Sequence, residues 1–398
     1  MKSKSVSHIV FTLAFIGILF GTLFVLIFKP KDTMSYYENR NLATIPEFSL
    51  SSLWNGSYFS AWETYLSDHA VGREPLLHLS TQVDLNVLHR PMVNDIVATT
   101  DDKLLAFYAD PPQTGEEVAA ASSAMADQCA AINEQTKAYG GTFLFVGVPG
   151  QTSYYADSYP WYLSETADQF EQHCDVLAAD LEARGVSFLD IGEYYDSLGH
   201  PEDFYSATDH HYTYRGTFAA YQNIMQTIND LTGDNLKIYT EDELTFRTLP
   251  NHALGSRARK VYSVHDNTDE HLMVSSFNEP IAFRRYDNGT EVAASCYTLP
   301  TDDTTEISYT IYMGGDQAET VIQTDRLELP NILIVGDSYT NALETLLYAS
   351  FNEMRSLDLR HYQEKMLSEY IAEYQPDIVL YLRDYGSLLS TEGNGALK

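Results

Sequence analysis

Twenty consecutive residues without a charge, IVFTLAFIGILFGTLFVLIF from Ile9 to Phe28, form the longest apolar run in the chain. At helical rise such a run crosses about 30 Å of hydrocarbon, so it predicts one transmembrane helix. Lys2 and Lys4 precede it and Lys29 and Lys31 follow it, with no small-x-small cleavage pattern at its end. It therefore reads as an uncleaved signal anchor at 9–28 behind a short cytoplasmic tail at 1–8.

Beyond the anchor the pattern changes three times. Residues 29–57 carry Pro30, Pro46 and the turn-forming ENRNL, and read as a stalk. The following YFSAWETYLSDHAVGREPLLHLSTQVDLNVL spaces apolar residues three and four apart and predicts amphipathic helix, so that stalk and lead-in helices together occupy 29–90. From 91 onward a helix–strand rhythm sets in. A helix over Gly115 to Tyr139 precedes the buried strand GTFLFVGVP at 141–149, and a helix over Ser164 to Arg184 precedes the strand VSFLDIG at 186–192.

A helical stretch at 217–235 gives way to a Thr-, Ser- and Tyr-rich region at about 240–328. Its alternating pieces EISYTIYMGGD and ETVIQTDRLEL predict antiparallel strands. The earlier rhythm returns in NILIVGDSYTNALETLLYASF at 331–351. The strands MRSLDLRHY and DIVLYLRDY then flank a helix at 363–374. Alternating helices and buried strands predict one doubly wound α/β domain over 91–398 with a parallel sheet, interrupted by a β-rich insertion.

Two loops at carboxyl ends of predicted strands carry chemistry. In LIVGDSY, Ser338 follows a strand directly and opens a helix, which exposes its hydroxyl beside backbone N–H groups able to hold an oxyanion. The plainer reading makes Asp337 or Ser338 a helix cap. In TDHHYTYRG, Asp209 and His211 form a D-x-H pair that can act as orienting acid and base for a serine, with His210 directed away. A structural hydrogen-bonded corner and a metal site are the competing readings. The metal reading lacks convergent partners, because His69, His173, His265 and His361 are scattered, and no metal or cofactor is expected.

Taken together, TDHHYTYRG, VGDSYTNAL and LDLRHY resemble the bacterial DHHW family. That family is similar to the SGNH-hydrolase-like proteins of alginate O-acetylation, the AlgJ and AlgX type. YYENRNLATIPEFS and YLSDHAVGRE resemble its opening blocks, and YMGGD its turn before the serine strand. The resemblance implies a flavodoxin-like, SGNH-hydrolase-like fold. It also implies a triad in which Ser338 is nucleophile, His211 base and Asp209 orienting acid, with the D-x-H element preceding the serine in the chain. Tyr212 stands where the family name has Trp and would keep an aromatic wall. Tyr339, Asn341 and Arg360 are candidate pocket or oxyanion residues, each with an ordinary structural role as the alternative.

Composition narrows the partners. All 56 Asp and Glu follow the anchor, against 24 Lys and Arg in the whole chain, so the surface repels nucleic acid and anionic lipid. Cys129, Cys174 and Cys296 allow one disulfide at most. The expectation is a single-pass membrane protein whose extracellular domain is an O-acyltransferase or esterase acting on acetyl groups of a cell-envelope polysaccharide. As a transferase it would need a membrane-bound O-acyltransferase partner to supply acyl groups. A non-catalytic polysaccharide-binding or envelope-assembly scaffold is the alternative, since 29 tyrosines serve sugar stacking as readily as a core.

Overall fold

The computed structural model describes residues 2–38, 40–109, 111–163, 167–265 and 269–397. The chain divides into two compact units, Met1–Asn94 with Arg259–His265, and Asp95–Ala258 with Asp266–Lys398.

In the first unit, helix α1 (Lys2–Phe28) contains the apolar segment Ser7–Phe28, which is long and apolar enough to cross a membrane. The predicted lead-in helix is broken into α2 (Ser57–Asp68) and α3 (Arg73–Gln82), because Gly72 adopts a left-handed φ of 74° between them. An ion pair ties this unit together. The Arg40 guanidinium donates to both Asp68 oxygens, at 3.0 and 2.6 Å, and the Ala43 N–H donates to Asp68 Oδ2 at 2.8 Å. The Arg40 hydrogen bonds outweigh burial and hold the Asp68 pKa down at about 2.

The second unit is built on an eight-stranded sheet. Its helices are α4 (Gly115–Ala138), α5 (Ala167–Ala183), α6 (Tyr214–Thr232), α7 (Ser338–Leu347) and α8 (Leu367–Tyr374). Its longer strands are β1 (Thr142–Val148), β2 (Ser187–Asp190), β3 (Leu244–His252), β4 (His271–Phe277), β5 (Arg284–Asp287), β6 (Thr290–Val292), β7 (Glu319–Gln323), β8 (Asn331–Val335), β9 (Glu353–Leu357) and β10 (Ile378–Asp384). The start of the predicted second helix, Ser164 to Thr166, lies outside the described residues.

The sheet order is β6-β5-β7-β9-β8-β10-β1-β2. The five strands β9-β8-β10-β1-β2 are parallel, and β7, β5 and β6 continue the β9 edge antiparallel. Counted from β8, the parallel strands run 2-1-3-4-5, the flavodoxin-like order with the chain entering at its fourth strand. This altered entry point puts the D-x-H segment ahead of the serine in sequence.

Strands β1, β8 and β10 are buried almost throughout, which requires cover on both faces. On one face Phe143, Phe145, Leu333, Val379 and Tyr381 join Met125 and Ile132 of α4, Leu177 of α5 and Ile371 of α8 in a single apolar cluster. Helices α6 and α7 pack against each other and reach β1 and β10 respectively. A Thr114–Glu117 capping box starts α4, and left-handed Gly233 ends α6.

The β-rich region departs from expectation in two ways. Strands β5 to β7 lengthen the main sheet on its β9 edge, which makes the sheet mixed rather than wholly parallel, while β3 and β4 pair as an isolated ribbon. The alternating piece EISYTIYMGGD is not a strand; Tyr309–Ile311 forms a short 3-10 turn. Its alternate side chains Ile307, Tyr309 and Ile311 are buried, so the period-two pattern reports inward packing without a strand partner for most of its backbone. Cys129, Cys174 and Cys296 are buried free thiols.

Candidate active site

The sheet changes direction of winding between β8 and β10, and in such sheets ligands bind outside the carboxyl ends of the strands at that switch. Ser338 stands there. Strand β8 ends at Val335, Gly336 makes the turn, and Asp337 caps α7 by accepting from the Tyr339 N–H at 3.1 Å. The capping role and a half-buried serine lining a cleft thus coexist on neighbouring residues. As the first residue of α7, Ser338 has an N–H with no intrahelical acceptor.

The TDHH segment reaches the serine across the fold. His211 Nε2 lies 2.7 Å from Ser338 Oγ, and His211 Nδ1 lies 2.5 Å from Asp209 Oδ1. Both His211 ring nitrogens are therefore engaged. Asp209 Oδ2 accepts from the Ser256 N–H at 2.7 Å. Burial alone would raise the Asp209 pKa, but the charges of His211 and His210 and these hydrogen bonds hold it well below the usual carboxylate range.

Residues from the β-rich region fix this geometry, and the sequence pattern did not single them out. The Tyr309 ring lies flat on the His211 imidazole, with centroids 3.7 Å apart and planes inclined by 4°. Glu270 accepts from Ser206 Oγ at 3.0 Å, from the Ala207 N–H at 2.7 Å, and from the Thr208 backbone and hydroxyl. It thereby shapes the turn that delivers Asp209. Burial pushes the Glu270 pKa up despite these donors. Gly255 lets the Ser256 loop approach, since a Cβ there would sit 2.1 Å from the Thr208 carbonyl oxygen.

The remaining candidates divide. Tyr339 is buried, donates its hydroxyl to the His210 carbonyl and accepts from the Tyr212 hydroxyl at its own carbonyl, so the two tyrosines fasten the TDHHY loop to α7. Tyr212 is buried and lines a cavity with Asp209, His211 and Tyr309. Asn341 donates to Asp316 Oδ1 at 2.9 Å. Arg360 lines the cleft with Ser338 but is held by Asp358 and Asp316, at 2.5 and 2.7 Å.

His210 corrects an expectation. It is not turned away; it lines the same cleft as Ser338 while its Nδ1 contacts Ser256 Oγ at 2.7 Å. The contact with the Ser256 hydroxyl holds it there. Asp209, His210 and His211 each place one possible ligand atom within 4.8 Å of the others. A metal there would compete with the contacts His211 makes to Asp209 and Ser338.

Residues 105–265 match the family model for the SGNH hydrolase-like domain of the acetyltransferase AlgX, a stretch that includes Asp209 and His211 and ends before Ser338. No curated protein matches the sequence. Among solved structures the chain is similar to Bacillus cereus PatB1 with a sulfonyl adduct, at 22% identity and a TM-score of 0.59, covering 74% of this chain and 97% of that one. It is also similar to a DHHW family protein from Eubacterium siraeum, at 17% identity and a TM-score of 0.55, covering 76% of this chain and 95% of that one. The fold is SGNH-like, and the chain is similar to AlgX-type acetyltransferases over the matched stretch.

Proposed function

We propose that the protein is a membrane-anchored serine O-acetyltransferase or acetylesterase acting on a cell-envelope polysaccharide, with its larger unit outside the cytoplasmic membrane. The observation that carries this reading is the unbroken contact chain from Asp209 through His211 to Ser338. A helix cap or structural corner needs no such alignment of a serine hydroxyl on an imidazole. The acetyltransferase family match over residues 105–265 supports the same chemistry.

In this mechanism His211 Nε2 accepts the Ser338 proton as Oγ attacks the acetyl carbonyl of the donor. Asp209 holds the imidazole by Nδ1 and balances the imidazolium charge, while Tyr309 restrains the ring plane. The Ser338 N–H, at the positive end of α7, faces the developing oxyanion. The tetrahedral intermediate collapses with cleavage of the bond to the leaving oxygen, which takes the proton from His211, and acetyl-Ser338 remains. His211 then deprotonates a sugar hydroxyl or water, whose oxygen attacks the acetyl carbon and regenerates the serine.

Helix α1 supplies an anchor by its length and composition. One such helix provides no route for acetyl groups through a membrane, so a transferase of this design receives them from a membrane-bound O-acyltransferase partner. The test is hydrolysis of an aryl acetate by the detergent-solubilised full chain. Ser338→Ala and His211→Ala should each lower kcat/KM by about a thousandfold or more. Equal rates in wild type and both variants would leave a polysaccharide-binding scaffold as the better account.

A further inference from the structure

A second cavity, of about 220 Å³, touches the D-x-H segment but not the serine. Asp209, His211 and Tyr309 line it, whereas Ser338 and His210 line the cleft, and the two spaces have no lining residue in common. The reaction described above makes no use of it. Part of its wall is aliphatic, from Ala253, Leu254, Leu272 and Met273. Much of the rest comes from four tyrosines, Tyr212, Tyr214, Tyr309 and Tyr312.

The polar groups of this wall are engaged elsewhere. The Tyr212 hydroxyl donates to the Tyr339 carbonyl, the Tyr214 hydroxyl meets those of Ser275 and Thr345 at 2.8 Å, and the Tyr312 hydroxyl donates to the Met273 carbonyl at 2.7 Å. The Tyr309 hydroxyl is sealed from solvent. The tyrosines therefore offer the cavity ring carbon. Asp209 is held by His211 and the Ser256 N–H, and Glu270 by Ser206, Ala207 and Thr208. Asp203 and Arg215, both exposed, pair with each other at 3.5 Å. A cation would find no uncommitted carboxylate here, and the hydroxyls of a sugar would give up water for few partners. An aromatic ring loses neither and gains dispersion contacts with the wall. An apolar cavity of about 150 Å³ already holds benzene, so this larger one has room for a ring system such as indole.

We propose that this cavity is a second ligand site, taking a small neutral aromatic molecule, and that the bound ring supports the catalytic base. Asp209, His211 and Tyr309 belong to its wall, so a ring filling the space restrains the imidazole in the orientation that meets Ser338. The support of the base rests on the acyl-transfer reading; the ligand site does not.

The test is calorimetric titration of the full chain in lipid nanodiscs with indole, benzoate and benzyltrimethylammonium, with empty discs as the blank. Indole should bind more tightly than either ion, and Ser338→Ala should leave its affinity unchanged. Leu272 is half-buried in the wall, so Leu272→Trp fills the space and should weaken indole about tenfold or more. Ala253→Leu takes its place should that variant fail to fold. Tighter binding of either ion, loss of indole binding in Ser338→Ala, or undiminished affinity in the filled variant overturns the site. In aryl acetate hydrolysis, saturating indole should raise the wild-type kcat about twofold or more with KM unchanged. An unchanged kcat overturns the support of the base, and a raised KM alone would place indole in the serine cleft and overturn the proposal. Indole binding that Leu272→Trp weakens, without Ser338-dependent ester hydrolysis, would keep the ligand site and remove the acyl-transfer reading.

Discussion

Asp337 is the residue whose placement has the clearest consequence for stability. Burial and the neighbouring charge of Asp384 raise its pKa to about 6. The folded protein therefore binds its proton more tightly than the unfolded chain, in which an aspartate titrates near 3.9. Stability from this group is full below the unfolded value and is lost as pH rises through about 6. Asn at this position caps a helix as well as Asp and carries no charge. Asp337→Asn should thus raise the thermal unfolding midpoint more at pH 8 than at pH 4, measured by calorimetry on the full chain; a gain independent of pH would contradict the assignment. At this scale the sequence was legible where chemistry is local. Asp209, His211 and Ser338 stand in two short motifs, and the fold brings their atoms together. Tyr309 and Glu270 were not legible, because each is a common residue in a stretch whose pattern suggested only strands. Their importance comes from where the β3–β4 connection and the 3-10 turn place them.

At the scale of elements, the site depends on the close approach of two loops. Gly255 packs against the Thr208 backbone with no room for a side chain. Gly255→Ala must displace the Ser206–His211 turn at Thr208, at a cost of about 1–3 kcal/mol from overpacking. The expected result is a lowered unfolding midpoint together with a drop in kcat for ester hydrolysis, because the His211–Ser338 contact spans the displaced loop. Unchanged kcat would show that the loop has slack. The parallel strands and helices α4, α6 and α7 were readable because long buried runs and capped amphipathic helices carry strong local signals. The antiparallel additions β5 to β7 were readable as strands, but their joining to the main sheet was not. An edge strand's sequence does not name its neighbour.

For the whole molecule, the proposed anchor reading of the apolar Ser7–Phe28 helix, ahead of an acidic remainder, predicts attachment through that helix. Removing residues 2–28 should move the protein from the membrane to the soluble fraction in a flotation assay, at any salt concentration. Membrane retention of the shortened chain would require another lipid-binding surface. The order of the parallel strands brings the D-x-H and serine segments, 127 residues apart between His211 and Ser338, to one carboxyl edge of the sheet, and the altered entry strand reverses only their order in the chain. Sequence order alone would not place them together.

The most direct test of the central claim is to trap the covalent intermediate. The full chain is mixed with an aryl acetate, quenched in acid, digested and read by mass spectrometry. The account predicts an acetyl group on the peptide carrying Ser338, absent from Ser338→Ala and strongly reduced in His211→Ala. An acetyl group found on other residues only, or equal labelling in all three proteins, would contradict an acyl-serine at this site.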